Sequence, residues 1–317
     1  MATLALLELL PEPQFAALAR HLPAGAELRA VASTDDAEAR RLAAEADILL
    51  VWNGPLPSAT LAAARQARLA QVCERRPRGV DFFAARRRGL PVAGPGPAGA
   101  RDAAEHALLL ALAGLRRLPA ALAEQRGAGL SQQTGTLLLG AGLRGRTVGL
   151  YGLDPVACTL AALVSALEAR VIAWSGAAAA DADWPPRVEL AQHRYEALAA
   201  ADVVSLHLPP TPDQRHVVSR ETLRLLRRDA ILVNVSSPEL IDEVSLYQAL
   251  ANGRLGGAAL DSLADAAAAQ PLLGLPSALI TPRLAYATPA AIEELAAAAM
   301  ANAARALAGQ EPLHRWV

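Results

Sequence analysis

Short apolar runs alternate with amphipathic stretches rich in alanine and arginine along the first hundred residues. The apolar runs predict strands at 4–10, 27–32, 47–52 and 69–73, and apolar residues at helical spacing predict helices at 13–22, 37–46 and 58–67. Ser58 is the predicted N-cap of the last helix, because a serine hydroxyl can accept the free N–H groups of a first turn. Strands that alternate with helices favour βαβ units and a parallel sheet.

A proline- and glycine-rich cluster at 94–99 marks a joint, and the pattern changes after it. A helix predicted at 102–121 is apolar almost all round, which is typical of a helix buried in a core or a subunit interface. Residues 125–142 predict an extended arm or loop, and the alanine-rich tract 176–183 predicts a surface loop. The alternation then resumes, with strands predicted at 147–151, 170–174, 203–208, 230–235 and 257–260 and helices at 155–167, 219–226, 242–251 and 289–308.

Composition narrows the class of protein. The chain has 317 residues, 53% of them apolar, which is enough for two cores, and its formal net charge of −1 argues against a nucleic-acid partner. All 30 positively charged side chains are arginine, which excludes chemistry that needs a lysine. The histidines lack metal-ligand spacing, so no metal site is expected.

Two further features concern the cellular compartment. Cys73 and Cys158 form no disulfide or metal motif and are expected to be small buried residues in a reducing compartment. We find no uncharged apolar run of the length of a membrane span and no signal-like N-terminus. We therefore expect a cytoplasmic protein with no membrane partner.

Three segments of the second half resemble the D-isomer-specific 2-hydroxyacid dehydrogenase family: 201–216 (ADVVSLHLPPTPDQRH), 230–235 (AILVNV) and 252–261 (NGRLGGAALD). Shorter pieces support the resemblance in the same order along the chain: 104–107 (AEHA), 143–149 (LRGRTVG), 270–276 (QPLLGLP) and 280–282 (ITP). The resemblance therefore covers essentially the whole chain.

The resemblance implies an α/β protein with two Rossmann-like, doubly wound parallel-sheet domains. An NAD(P)-binding domain at 100–285 would be inserted in an outer substrate domain made of 1–99 and 286–317. It also implies a homodimer, which suits the apolar helix at 102–121, and a small-molecule substrate or anion in the cleft between the domains.

The resemblance places the phosphate-binding turn at 152–157 (GLDPVA). Gly152 keeps the first glycine of the G-x-G-x-x-G pattern, Asp154 replaces the second, and Ala157 stands at the third. Two interpretations are open. Asp154 can cap the following helix, with Pro155 suited to its first position, so that the turn holds no ligand. Alternatively, the turn binds a weakened or displaced cofactor.

The cofactor is NAD or NADP by resemblance. Ser175 stands where the family has an acid for the adenosine ribose, and no arginine follows it, so the choice between the two nucleotides is open. The residues expected at the cofactor are Gly152, Leu153, Asp154, Pro155, Val156, Ser175, His207, Pro209, Val235, Ser236 and Asp261.

The family binds the substrate carboxylate with an arginine and moves a proton with a histidine that a glutamate orients. Here these positions hold Ser237, Arg283 and Ala266, respectively. The catalytic candidates at or near them are Ser237, Arg283 and Tyr286, with His207 as another proton source. In the substrate loop at 73–81, Pro77 replaces a glycine. Its arginines at 75, 76 and 78 are either a solvated run or an anion-binding edge.

Two functional hypotheses follow from these replacements. The first is an NAD(P)-linked oxidoreductase that acts on a CH–OH group through a non-standard site. The second is a catalytically inactive dimeric relative that serves as a scaffold, a regulator or a binder of a small anion. Titration with NADH and NADPH discriminates between them.

Overall fold

The structure, a computed structural model, describes residues 1–33, 35–75, 79–128, 139–174, 188–208, 212–264 and 270–317. The chain forms two compact units. Unit 1 comprises Met1–Gly99 and Ala287–Val317, and unit 2 comprises Ala100–Tyr286. Each unit is built on a parallel sheet with helices, which confirms the predicted α/β class.

Unit 1 contains a five-stranded parallel sheet in the order β2–β1–β3–β4–β5. Its strands are β1 (Ala2–Leu6), β2 (Ala26–Ala30), β3 (Ile48–Val51), β4 (Leu69–Val72) and β5 (Val92–Ala93). Strands β3 and β4 are buried along their whole length, as apolar runs are when helices cover both faces of a parallel sheet. The carboxyl ends of β1, β3 and β4 are neighbours at one edge of this sheet.

The helices of unit 1 are α1 (Glu12–Arg20), α2 (Asp36–Ala44), α3 (Ser58–Ala63), α4 (Phe82–Arg88) and α12 (Pro289–Leu307). The prediction of Ser58 as an N-cap is wrong. Pro57 is the extended N-cap residue and Ser58 is the first helical residue. The ring of a proline fixes a φ that suits the N-cap position here, so the N-cap lies one residue earlier than predicted. The pattern also missed α4, whose N-cap is Asp81, and the two-residue strand β5.

Unit 2 contains a seven-stranded parallel sheet in the order β12–β11–β10–β9–β6–β7–β8. Its strands are β6 (Thr147–Tyr151), β7 (Arg170–Trp174), β8 (Val188–Leu190), β9 (Val203–Leu206), β10 (Ile231–Asn234), β11 (Gly257–Leu260) and β12 (Ala278–Ile280). The first strand, β6, pairs with both β7 and β9, so the strand order reverses there. Ligands of doubly wound sheets bind beyond the carboxyl ends of the strands at such a switch point.

The helices of unit 2 are α5 (Ala100–Leu115), α6 (Leu118–Ala128), α7 (Pro155–Ala166), α8 (Arg194–Ala200), α9 (Arg220–Leu223), α10 (Glu243–Ala251) and α11 (Gln270–Leu273). Predicted strands and helices other than 102–121 match observed elements to within a few residues at each end. Strands β8 and β12 and helices α8 and α11 were not predicted, because each is short and has no clear periodicity.

The single helix predicted at 102–121 is wrong, because two helices meet there at an angle of 63°. Arg117 is in the left-handed region (φ 52°), and Pro119 lies in the first turn of α6. A continuous helix would need an N–H at Pro119 for the carbonyl of Leu115, and proline has none. The Ala141 N–H donates to that carbonyl instead, at 2.8 Å.

Helix α5 packs against α7 and strands β10 and β11 of its own unit. Its buried residues, among them Ala103, Ala107 and Leu110, place one side of the apolar helix in the core of unit 2. Of the predicted loops, 125–128 belong to α6, while 129–138 and 176–183 lie outside the described residues. Among described residues no single helix is long and apolar enough to cross a membrane, and the bent pair α5–α6 meets that test by length and composition only.

Candidate functional site

The turn after β6 brings two strand ends of unit 2 together. Gly152 has φ 112°, a conformation that favours glycine. A Cβ on Gly152 would lie 2.5 Å from the carbonyl carbon and oxygen of His207, which follows β9. The predicted first glycine of the phosphate turn is thus required by a close backbone contact at the switch point between β6 and β9.

Asp154 caps α7. Its backbone is extended (φ −152°, ψ 170°), and its Oδ1 accepts the Ala157 N–H at 2.7 Å. Pro155 is the first helical residue and has no N–H to donate. The structure therefore confirms the predicted cap, in which the carboxylate takes one of the N–H groups that a helix start otherwise offers to an anion.

His207 lies beside this cap and is almost fully buried, with a side chain that is 1% exposed. Its Nδ1 is 3.3 Å from Asp154 Oδ1, and its Nε2 is 2.9 Å from the Ser205 hydroxyl. Both ring nitrogens thus have polar neighbours inside unit 2. This packing fits a residue that positions the turn.

The residues that follow β10 form a closed turn. The Asn234 amide donates to the Ser237 carbonyl at 2.9 Å, and its carbonyl oxygen accepts the Ser236 N–H at 2.9 Å. The hydroxyl of Ser237 accepts the Glu239 N–H and caps a short 3-10 turn at Pro238–Leu240. Ser237, which stands where the family has its arginine, is 4% exposed. Its local role is structural, and it brings no positive charge.

A buried carboxylate organises the turn after β12. Asp261 is fully buried at the end of β11. Its Oδ1 accepts the Thr281 hydroxyl and the Leu284 N–H, both at 2.7 Å, and its Oδ2 accepts the Ala285 N–H at 3.1 Å. The backbone carbonyl of Asp261 accepts the Arg283 N–H at 2.7 Å. Asp261 therefore holds the whole segment between Thr281 and Ala285.

His106 on α5 completes this network, and the sequence analysis did not single it out. Its Nε2 lies 3.1 Å from Asp261 Oδ1 and 3.0 Å from the Thr281 hydroxyl. The available signal was a histidine directly before the uncharged, mostly apolar run 107–115 of α5. Such a residue needs a buried polar partner.

Arg283 and Tyr286 are the two catalytic candidates at the turn that Asp261 holds. Arg283 adopts φ 61°, an uncommon conformation for a residue other than glycine and one that costs free energy. Tyr286 is 4% exposed. Arg283 lies in the turn that Asp261 holds at the carboxyl edge of the sheet, and Tyr286 directly follows that turn. Ser237 belongs to a different turn, the one after β10.

The other predicted positions divide into two groups. Leu153 lies in the turn after β6, and Val156 lies in the first turn of α7. Val235 and Ser236 lie in the turn after β10, and the Ser236 hydroxyl donates to the Leu208 carbonyl at 3.0 Å. Ser175, Pro209, Ala266, Pro77 and the arginines at 76 and 78 lie outside the described residues. That any of these residues contacts a cofactor stays a prediction.

Three smaller predictions can be compared with the structure. Cys73 is buried as expected, whereas Cys158 is partly exposed on the first turns of α7. The Arg75 guanidinium donates to the Gly96 carbonyl, so this part of the predicted positive edge has a structural contact. Among the described residues no group of three or more metal-binding side chains is present.

The switch point fits a dinucleotide. The strand–turn–helix unit, the glycine that admits a close backbone and the strand order are those of dinucleotide-binding sheets. The exception is Asp154, which places a carboxylate where the phosphates of such a ligand meet the helix. Unit 2 is therefore a doubly wound, dinucleotide-binding domain with an altered phosphate turn.

The family model described as D-isomer-specific 2-hydroxyacid dehydrogenase, NAD-binding domain, matches residues 108–285. The chain belongs to the D-isomer-specific 2-hydroxyacid dehydrogenase family. This finding confirms the resemblance to the family and its NAD-binding domain. The altered phosphate turn thus occurs in a domain of a nucleotide-binding family.

Two curated relatives show the extent of the match. The chain is 31% identical over 229 residues to glyoxylate/hydroxypyruvate reductase HPR3 of Arabidopsis thaliana, covering 70% of this chain and 68% of the relative. It is 32% identical over 287 residues to D-3-phosphoglycerate dehydrogenase of Mycobacterium leprae, covering 90% of this chain and 53% of the relative. The chain thus spans about half the length of that relative.

Solved structures share the fold over the whole chain. A protein of Thermus thermophilus superposes with a TM-score of 0.80 at 29% identity, covering 99% of this chain and 100% of the other. The NAD complex of a D-isomer-specific 2-hydroxyacid dehydrogenase from Lactobacillus delbrueckii superposes with a TM-score of 0.78 at 19% identity, covering 100% of each chain. These matches show the fold, and the family model of an NAD-binding domain supports NAD(P) as the cofactor class.

Proposed function

We propose that this protein binds NAD(P) at the switch point of unit 2 and oxidises or reduces a small carboxylic acid at a CH–OH or carbonyl carbon, through a site without the family's Arg–Glu–His set. The observation that carries this proposal is the turn held by Asp261. A fully buried carboxylate accepts three side-chain and backbone donors to fix a turn that presents Arg283 in an uncommon conformation. Strain that the surroundings enforce is a mark of functional sites.

Two side chains of the protein would have separate roles, substrate binding and proton transfer. The Arg283 guanidinium is always charged and offers a planar fork of donors, so it would bind the substrate carboxylate and orient the reacting carbon. Arginine is a poor proton donor because its guanidinium stays protonated in proteins, so the Tyr286 hydroxyl would donate or accept the proton. A bound nicotinamide would supply or accept the hydride.

The test is a titration with NADH and NADPH, followed by turnover assays with a panel of 2-oxo and 2-hydroxy acids. We expect saturable cofactor binding and turnover of at least one acid. Arg283→Ala should lower kcat/KM by about 100-fold, equivalent to about 2.7 kcal/mol of transition-state stabilisation. Arg220→Ala, which removes an exposed arginine on α9, is the matched control and should leave kcat/KM unchanged. Absence of binding at millimolar NADH and NADPH would overturn the proposal.

The inactive-relative hypothesis is the second candidate, and the cap formed by Asp154 favours it. A helix start that its own carboxylate fills has less need of a phosphate ligand. In this case the protein would bind a small anion, or act as a scaffold or regulator. The discriminating outcome is cofactor or anion binding without turnover of any acid in the panel.

For partners, we propose a homodimer. Large apolar side chains on α5 and α6 are exposed in the single chain, namely Leu109 at 56%, Leu118 at 42% and Leu122 at 39%. Leu118 and Leu122 are four residues apart on α6 and so lie on one face of it, and exposed apolar side chains on one face are typical of protein–protein contacts. Sedimentation equilibrium of the wild type and of Leu109→Glu tests this assignment, because a charge in the contact should shift the equilibrium to monomer.

A further inference from the structure

A carboxylate of unit 1 is held by three consecutive backbone N–H groups. Oε1 of Glu8, two residues beyond β1, accepts the N–H of Trp52, the N–H of Asn53 at 3.1 Å and the N–H of Gly54 at 3.0 Å. These three donors follow β3 directly, at the carboxyl edge of the sheet. Successive N–H groups that point at one place form an anion-binding concavity.

The space around the carboxylate depends on a glycine. A Cβ built on Gly54 would lie 2.9 Å from Glu8 Cδ and Oε2, and its three nearest neighbours would all be atoms of this carboxylate. Gly54 is not among the residues with positive φ, so its backbone conformation does not itself require glycine. The absence of a side chain at Gly54 therefore leaves space for a carboxylate group. The carboxylate of a ligand would need the same space.

The floor of this concavity is buried and contains a second carboxylate. Trp52 is 2% exposed, and its indole N–H donates to Oε1 of Glu74 at 3.0 Å. Glu74 and the fully buried Cys73 follow β4, the next strand of the sheet. Of the described arginines and histidines, none forms an ion pair with Glu8. Within the part of the chain that the structure describes, the bound carboxylate is thus stabilised by backbone N–H groups, next to a carboxylate of like charge.

The contact between Glu8 and the three N–H groups can open without loss of a helix or strand. Burial raises the pKa of the Glu8 carboxyl, although the three N–H groups lower it, and repulsion from Glu74 raises it further. Glu8 itself is only half-buried and belongs to neither a helix nor a strand, so its side chain can leave the concavity without disrupting a secondary structure element. The N–H groups would then be left without a partner and would need another acceptor.

We propose that the backbone N–H groups of Trp52, Asn53 and Gly54 are a binding site for the carboxylate of a small organic acid, and that Glu8 occupies this site until a ligand displaces it. The inference goes beyond the proposed function, because it assigns carboxylate binding to unit 1 and requires no cofactor. These N–H groups would also give the protein a second group that can bind a carboxylate, in a chain that has Ser237 where the family has its carboxylate-binding arginine. The acids that fit are those with an unhindered carboxylate.

The experiment is calorimetric titration of the full chain with glycolate in the absence of cofactor, with uncharged glycolamide as the control ligand. In the wild type a ligand can bind only to those molecules from which the Glu8 side chain has moved away. The measured affinity is therefore lowered in proportion to the fraction of such molecules. Glu8→Ala should therefore bind glycolate about tenfold more tightly than the wild type, and glycolamide should bind to neither. Equal affinities of the wild type and Glu8→Ala for glycolate would overturn the proposal.

A second variant separates this site from any other anion site. Gly54→Ala in the Glu8→Ala background puts a methyl group where the carboxylate would lie, so the gained affinity should be lost. If it is retained, glycolate binds elsewhere and the proposal is wrong. Should Glu8→Ala fail to fold, Glu8→Gln leaves a neutral occupant and should still strengthen glycolate binding over the wild type. Because no cofactor is present, failure here leaves the NAD(P) proposal standing.

Discussion

The carboxylate of Asp154 lies between the first turn of α7 and the ring of His207. Its Oδ1 accepts the Ala157 N–H at 2.7 Å and lies 3.3 Å from His207 Nδ1. This one side chain caps the helix, contacts a buried histidine and sets the charge of the turn at the switch point. Its substitution therefore separates the stability of the turn from its affinity for a nucleotide.

Asp154→Asn should tighten NADH binding by about tenfold, since it removes a negative charge from the phosphate turn, and about 1.4 kcal/mol corresponds to a factor of ten. Asparagine is also a good N-cap, so unfolding stability should change little. Asp154→Ala is the matched variant: it should tighten binding similarly but cost about 1 kcal/mol of stability. Fluorescence titration and urea unfolding measure the two effects. NADH affinity that is unchanged in both variants would contradict the argument.

Gly152→Ala should destabilise the protein by about 3 kcal/mol, because the residue has positive φ and the new Cβ would be 2.5 Å from the backbone of His207. Gly253→Ala is the control. Gly253 also has positive φ, but no atom lies within 4 Å of its Cβ position, so about 1 kcal/mol is expected. Urea unfolding of both variants measures the difference. Similar losses would show that the contact with His207 has no energetic role.

Asp261→Ala should cost about 3 kcal/mol, since it leaves three buried or partly buried donors without their acceptor. Thr281→Val removes only one of these hydrogen bonds and should cost about 1 kcal/mol. Amide hydrogen exchange at Leu284 and Ala285 should accelerate in Asp261→Ala and remain near the wild-type rate in Thr281→Val. Slow exchange in Asp261→Ala would mean that other contacts hold the turn.

Glu8 gives the stability a defined pH dependence. Burial raises its pKa above the ordinary value of 4.5, so the folded protein binds this proton more tightly than the unfolded chain does. The contribution of Glu8 to the free energy of unfolding is therefore most favourable below the pKa that this carboxyl has in the unfolded chain. It declines as the pH rises through the raised pKa of the folded protein. Glu8→Gln removes this decline, so the variant should gain stability relative to the wild type as the pH rises.

Urea unfolding of both proteins between about pH 4 and pH 8 checks this sign. Groups with lowered pKa values, such as Glu38 and Asp242, titrate alike in the wild type and Glu8→Gln and cancel in the difference. A difference in stability that is constant with pH would contradict the prediction.

The amino-acid pattern was sufficient where chemistry is local. Apolar runs such as the one in β6 predict a buried parallel strand, because period and burial are properties of a few neighbouring residues. The cap by Asp154 was predicted for the same reason: an N-cap acts within three residues. Where two local signals competed, as at Pro57 and Ser58, the sequence did not decide the boundary of the helix.

The family and its α/β fold were also determined by the sequence alone, since they depend on residue identity at matching positions. The tertiary structure decided which distant residues meet. His106 reaches Asp261 across 155 positions of the chain, and Glu8 meets Trp52–Gly54 across more than forty. No local pattern encodes these pairs, because parallel strands bring their carboxyl ends to one edge whatever their separation along the chain.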